Sequence, residues 1–597
     1  MVYLERDDDF SFYEDKGEED LSDGDHFDFS SENGTEDYPS SSSAPSYKGF
    51  YIKVLLVVLV LLTGITGGII YYIYGRGKPG ELSFIPEEAQ IVGKLEIKPG
   101  IKKMLFSDQY GKLQQDPELE KKLYDSLDKL MRDLFFKEKR PGINITEEFL
   151  NYVDPEMAVA QFNVGQTIAR KNLKNLIKPD VKTDNIISLG VFHINNKEKT
   201  DEFFKKVEQS YGAVERETEG YKIFISDNFS YYFYRDFVVI SSRPEVIVLS
   251  IKTVKKEHKS ILTQENFQLY RKGHVKDAIG FIYVNLNYLR QDFCSVIRLS
   301  EDSNLVQFLN SLKLIGTSIA IYPTGVFIQT LIMPEENITS PIAVMYFSQI
   351  PREPKSLRFL PEDNTSNVIA FTNLVELFQI SVELLKDLSP DISKNINKLT
   401  ESKGFNMERD VLGSLTGDLS ISVPVKNPGE IALLLLLNPG QLFNDTIAII
   451  GIKKDSRLAS MVAGADTLIS FVSTPVNYRG VKITKSPDNS LCYAFTEESL
   501  LVNTGNSYSN IEKLIATKGG EKSSLYDLYQ KRTKKILPSK VISLFYINLK
   551  QIYNKLSLNS NQKDLEQTFE KCPEIWIVTT RVDKGMVSTI YIPFILQ

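Results

Sequence analysis

The chain has 597 residues, of which 42% are hydrophobic and 25% charged, so there is core material for several domains and neither a collagen-like nor a wholly disordered class fits. The formal charge of −7 is uneven: residues before Lys48 hold 15 acidic and 2 basic side chains, leaving the remainder near +6, an excess too diffuse for nucleic acid, which needs clustered Lys and Arg. Cys294, Cys492 and Cys572 form neither a disulfide framework nor a CxxC metal pair, and they leave the redox compartment open.

Residues 1–49 read as a disordered acidic tail. Asp7, Asp8, Asp9, Glu18, Glu19 and Asp20 precede a Ser/Pro run at 40–46, and this composition cannot bury enough apolar surface to offset chain entropy. The plain role is solubilising. The sharper one is a docking arm for a basic partner, with Phe10, Phe12, Tyr13, Phe27 and Phe29 as anchors. Asp23, Asp25, His26 and Asp28 lack the Gly and Glu spacing of an EF-hand loop.

An uncharged aliphatic run at 54–75 follows. As a helix, its roughly 22 residues reach about 33 Å, enough for a hydrocarbon core of about 30 Å. Lys53 and Arg76 bracket it, and Phe50, Tyr51, Tyr71, Tyr72 and Tyr74 stand where aromatic belts form, so residues 50–75 are expected to span a lipid bilayer once. A signal peptide would need a basic lead and a shorter apolar stretch. Gly64 and Gly68, with Thr63 and Gly67 beside them, offer a small-residue face for helix–helix contact and hence a homodimer; the plainer reading is incidental small residues. Flanking charge is close to a tie, Lys48 and Lys53 against Arg76, Lys78 and Lys94. The expected placement, with the tail cytoplasmic and the large portion extracytoplasmic, therefore rests on other grounds.

Beyond the linker at 75–80, one pattern occurs twice. Leu82-Ser-Phe-Ile-Pro-Glu-Glu88 matches Leu357-Arg-Phe-Leu-Pro-Glu-Asp363. Apolar strands at 91–97 and 368–374 come next, then helical stripes carried by Leu119, Leu123, Leu127, Leu130 and Leu134 and by Leu377, Ile380, Leu384, Leu385 and Leu388. Residues 148–159 align without a gap to 410–421, a turn feeding a strand. Strands at 188–194 and 447–452 lead into helices at 200–210 and 457–468. Gly220-Tyr-Lys-Ile answers Gly480-Val-Lys-Ile, and 231–234 falls opposite 491–494, each opening a hairpin closed by 237–241 or 500–504. Tyr283-Val-Asn-Leu286 meets Tyr546-Ile-Asn-Leu549, and closing hairpins turn near Gly325 and Gly585. The fold class is therefore α+β: one membrane helix followed by two tandem copies, at 80–335 and 355–597, of a mixed, largely antiparallel unit. A cleft between the copies is the expected binding site.

These residues resemble a bacterial family of membrane-anchored proteins, the domain of unknown function 3352 type. The resemblance rests on Ile85-Pro86-Glu87 and Leu360-Pro361-Glu362, Gly417-Asp418, Tyr478-Arg-Gly480-Val481 and the closing Tyr-x-Asn-Leu strands, and it spans nearly everything after Gly80. Glu87 and Glu362 stand where members more often have Ala. The resemblance implies an envelope-exposed domain and supplies no catalytic residues. It also makes the sequons at Asn144, Asn228, Asn337, Asn364 and Asn444 incidental.

Chemistry-bearing motifs are scarce. His26, His193, His258 and His274 have no HExxH or i, i+4 spacing, so neither a metal nor a cofactor is expected. Gly413-Ser-Leu-Thr-Gly417 has Leu415 where a nucleophile elbow needs Ser, and Thr517-Lys-Gly-Gly-Glu-Lys522 lacks the phosphate-loop frame. Tyr231-Tyr-Phe-Tyr234 tempts a reading as a stacking platform. On a strand Tyr231 and Phe233 would share one face, a binding-face candidate, although a packed strand is the plainer account. The leading function is a single-pass, membrane-anchored extracytoplasmic binding or scaffolding protein that meets an envelope protein or polymer, with no enzymatic role and no nucleic acid. The alternative is a membrane-anchored envelope hydrolase with a motif-free active site.

Overall fold

The computed structural model describes residues 80–96, 148–149, 152–164, 186–273, 278–290, 303–322, 324–363, 367–388, 407–424, 445–458, 460, 475–486, 490–505, 507–533, 536–556, 572–583 and 585–593. The acidic tail, the apolar run with Gly64 and Gly68, and the leucine stripe at 119–134 lie outside them. Among the described residues no helix is long and apolar enough to cross a membrane.

The N-terminal half contributes β1 (Ile91–Glu96), β2 (Val153–Phe162), β3 (Ile187–Ile194), β4 (Val214–Thr218), β5 (Tyr221–Ile225), β6 (Ser230–Tyr234), β7 (Phe237–Ser241), β8 (Gly280–Val284), β9 (Leu312–Tyr322) and β10 (Gly325–Pro334). Pairing places β1 between β2 and β8, then runs outward as β2–β3–β7–β6–β5–β4 on one side and β8–β9–β10 on the other, every pair antiparallel. The C-terminal half contributes β11 (Asn367–Phe371), β12 (Leu415–Val423), β13 (Ile447–Ile452), β14 (Val476–Tyr478), β15 (Val481–Lys485), β16 (Leu491–Phe495), β17 (Ser499–Thr504), β18 (Ser543–Asn548), β19 (Glu574–Val582) and β20 (Gly585–Pro593). Here β11 lies between β12 and β18, with β12–β13–β17–β16–β15–β14 on one side and β18–β19–β20 on the other. Finally β10 pairs antiparallel with β20, so the described strands form one 20-stranded sheet. The class is mixed α+β, built on a large antiparallel sheet.

Local chemistry accounts for the elements. The two-residue turns Glu219-Gly220 and Arg479-Gly480 have positive φ at both positions, the geometry that matches strand twist in a tight hairpin. Helix α1 (Lys197–Tyr211) starts at Asn196, whose side chain accepts from Lys199 N at 3.1 Å, and it buries Phe203, Phe204 and Val207 at helical spacing. Helices α2 (Pro244–Val254) and α3 (Glu265–Gly273) follow β7, as α7 (Tyr508–Lys518) and α8 (Leu525–Thr533) follow β17. Between β9 and β11 and around them lie α4 (Asn304–Asn310), α5 (Pro341–Phe347) and α6 (Leu374–Leu388). The sequence reading leaves 335–354 as a joint. It holds α5, a helix made in seven residues by the Ser340 cap and Pro341 at its first turn.

Each face of the sheet carries buried core residues. On one, Val92, Tyr232, Tyr283 and Leu314 pack with Phe84, Ile247 and Tyr270, and in the second half Val368, Ala494, Tyr546 and Val578 pack with Phe359, Leu514 and Tyr529. On the other, Met157, Phe192 and Tyr231 meet α1, and Ile319, Ile328, Ile575 and Ile592 make an aliphatic patch where β10 joins β20.

One alignment needs correction. Ile223 pairs with Tyr232 and Ile483 with Ala494, so, with Gly220 set against Gly480, Tyr232 rather than Tyr234 falls at the step of Ala494. The loop after Lys485 is longer than the loop after Ile225, and composition alone does not place that insertion.

Candidate functional site

The halves meet edge to edge, and this corrects the expectation of a cleft between them. From Gly325↔Pro593 to Ile332↔Met586, eight residue pairs close a backbone ladder where the cleft was expected. The pairs are reciprocal. Phe327 faces Tyr591 and Leu331 faces Val587; Val326 faces Ile592 and Ile332 faces Met586, with Gln329↔Thr589 at the centre. Two glycines permit the approach. A β-carbon on Gly325 would lie 2.3 Å from Ile592 O, and one on Gly585 would lie 2.2 Å from Ile332 O. Phe327 stacks on Tyr591 with centroids 4.7 Å apart, and Tyr591 Oη donates to Thr324 O at 2.9 Å. On the opposite face Thr317 and Thr330 hydroxyls are 3.0 Å apart, and Thr579 donates to Ser588 at 3.4 Å, making a half-buried hydroxyl row across four strands between aliphatic rows.

A second polar centre lies under the Pro-acid turns. In the first half Pro86 bridges to Ser260, Glu87 N donates to Lys259 O and Ile261 N donates to Ile85 O; in the second Pro361 bridges to Ser524, Glu362 N donates to Ser523 O and Leu525 N donates to Leu360 O. Beneath the first turn Lys94 Nζ meets Glu81 Oε2 at 3.2 Å, both side chains buried. Beneath the second stand Ser356 and Asp418. Ser356 N and Oγ donate to the Asp418 carboxylate at 2.8 and 2.6 Å, and Ser356 Oγ lies 2.7 Å from Ser420 Oγ. Burial pushes the Asp418 carboxyl up to about 6, against the downward pull of the Ser356 donors. Asp410, which is fully buried, holds Arg409 and Arg457 at 2.8 and 2.9 Å. Each of these carboxylates is tied to a neighbouring side chain or turn, a pairing that fastens strands and turns together.

Tyr231 does not stand on a binding face. It is fully buried, stacks on Phe224 with centroids 4.8 Å apart, lies 4.2 Å from Phe204 on α1, and its hydroxyl donates to Glu208. Phe233 shares that face, half-buried against Phe204 at 5.5 Å. Alternation is as the sequence reads, but α1 covers the face. His193 lies edge-on to Phe237 at 5.1 Å, and His258 Nε2 meets Glu88 at 2.8 Å. Residues 412–414 are a 3-10 turn feeding β12. Among the described residues no group of three or more His, Cys, Asp or Glu is placed to hold a metal. Sequence reasoning missed Ser356 and Asp418 as partners, since they are 62 positions apart. It also missed the seam, although β10 and β20 carry no charged residue, a pattern that marks strands destined for an interior position.

The model of a family described as "Protein of unknown function (DUF3352)" matches residues 55–447, about two thirds of the chain, beginning inside the apolar run. No curated protein matches the sequence. Among solved structures, crystal form III of TP0453 is similar at 7% identity over 45% of this chain and 85% of that one, with a TM-score of 0.24. Crystal form I of TP0453 is similar at 6% identity over 44% and 81%, also with a TM-score of 0.24. A likeness this slight carries no argument about this protein.

Proposed function

Because the chain belongs to the DUF3352 family, a family without an assigned reaction, we propose from its own architecture that it is a single-pass, membrane-anchored extracytoplasmic binding or scaffolding protein. In this reading residues 1–49 are a cytoplasmic tail, 50–75 span the bilayer, and 80–335 and 355–597 are two copies of one α+β unit. The observation that carries it is the β10–β20 ladder, which fuses both halves into one sheet. At a strand spacing of about 4.8 Å, twenty strands extend roughly 90 Å, a stiff span suited to holding partners at fixed separation outside a membrane. The duplication draws support from the identical strand order of the halves and from the reciprocal contacts of Gly325 and Gly585.

The test is a peroxidase fused to Gln597 and supplied with a membrane-impermeant phenol in intact cells. Labelling of recurrent envelope neighbours is expected. Labelling confined to permeabilised cells would reject the placement, and turnover of ester, glycoside or peptide substrates by the purified protein would reject the non-enzymatic reading.

A further inference from the structure

The sheet has two kinds of edge strand. At its outer end β4 reads Val-Glu-Arg-Glu-Thr and is exposed along most of its length; pairing β4 with a second β4 about Arg216 would set Glu215 against Glu217 and Arg216 against its own copy. The other outer strand, β14, has three residues. The inner edges are the opposite. Strands β10 and β20 are uncharged over their whole length, and the seam they form is reciprocal about Gln329↔Thr589. Among the described residues, β10 and β20 carry no charged side chain that would distinguish a β20 of the same chain from a β20 of another.

The chain between the halves allows that choice. Residues 335–340 leave β10 before α5 begins, held by Glu335 N to Ser311 O at 2.8 Å and by two ion pairs, Arg290–Glu335 at 3.7 Å and Lys313–Glu336 at 3.1 Å, the second with an exposed carboxylate. Ile338 packs half-buried against the cluster in which α5 buries Ala343 and Phe347 among Leu286, Leu312, Ile542 and Met586, contacts that survive if each partner is supplied by another molecule.

We propose that the seam is an exchangeable interface whose partner is a second copy of this chain. The N-terminal half of each molecule pairs with the C-terminal half of the other, with residues 335–340 as the hinge. Every contact across the closed seam is remade between chains, so only tether length and concentration separate the two forms. The inference rests on the β10–β20 pairing and not on the membrane reading.

The experiment uses the full chain in detergent with Cys294→Ser as background. One chain carries Gln329→Cys, a second carries Thr589→Cys, and the two are co-expressed and oxidised. A disulfide-linked dimer is expected from the mixture and not from either chain alone; dimerisation through residues 50–75 would not bring positions 329 and 589 of two chains together. Deleting Asn337–Thr339 shortens the hinge, strains the closed form and should raise the dimer share severalfold. A single chain with both cysteines should crosslink internally as a monomer, which shows that the substituted seam folds. Internal crosslinking with no dimer in the mixture would overturn the exchange, and absence of internal crosslinking would overturn the seam itself.

Discussion

Three glycines separate two physical effects. Gly585 has an ordinary backbone but sits against Ile332 O; Gly220 has φ +77 with nothing within 4 Å of its missing β-carbon; Gly325 combines φ +155 with the 2.3 Å approach to Ile592 O. Gly220→Ala should cost roughly 1–2 kcal/mol from the left-handed backbone alone, and Gly585→Ala about 1–3 kcal/mol from the clash. Gly325→Ala should cost more than either, an order that denaturant melts will read and that a seam held loosely would erase. Asp418 makes a pH prediction. Its carboxyl, raised from 3.8 to about 6 chiefly by burial, holds its proton more tightly folded than unfolded. Stability contributed at this site therefore falls as pH rises from about 4 to about 6 and is flat above. Asp418→Asn is neutral throughout, so its stability relative to the parent should rise over that window by on the order of 2–3 kcal/mol, measured by urea unfolding at pH 4, 5 and 6.5. A difference independent of pH would show that the Ser356 donors offset the burial.

Asn285 explains why the Tyr-x-Asn-Leu strand end belongs with the Pro-acid turn. Its buried amide donates to Glu87 O at 3.0 Å and Ala89 O at 3.1 Å, locking the turn beside β1 and β8. Asn285→Ala leaves Ala89 O without that donor, at about 1–3 kcal/mol if water does not reach it, while Glu87 O keeps the Gln264 side-chain amide at 2.7 Å. Hydrogen exchange should then quicken at Glu87 N–H and Ile261 N–H, which bond across the same turn, and remain slow in β13. These turns, the glycine hairpins and the strand alternation were legible in sequence because they are set by residues a few positions apart. The covering of Tyr231 by α1 was not, because alternation tells which residues share a face and nothing about what lands on it. The Ser356–Asp418 contact and the seam were hidden for a related reason. Near the first turn Glu81 is answered by Lys94 of β1, whereas near the second Ser356 is answered by Asp418 of β12, so the two places are satisfied by different chemistry. Between β10 and β20 lie some 250 residues, and pairing at that distance is chosen by the fit of whole edges.

At the scale of the molecule, the question is on which side of a bilayer the sheet lies. Lys48 and Lys53 against Arg76, Lys78 and Lys94 give no decisive bias, and a large domain can translocate whatever its charge, so flanking residues do not settle it. The sheet supplies a reporter that does. Val214 on β4 is 68% exposed, whereas Cys492 and Cys572 are buried and will not compete for a thiol reagent in the folded protein. In a Cys294→Ser background, Val214→Cys should react with a membrane-impermeant maleimide in intact spheroplasts. Ser41→Cys, in the acidic tail, should react only after permeabilisation. The reverse pattern would place the sheet in the cytoplasm and with it any partner the seam or the sheet serves. Reaction of both without permeabilisation would mean that residues 54–75 do not separate the tail from the sheet, and the proposed span would fall. Because β4 is an outer strand at the end of the sheet away from the seam, labelling there leaves the β10–β20 ladder untouched, and the same sample can be tested for exchange between chains.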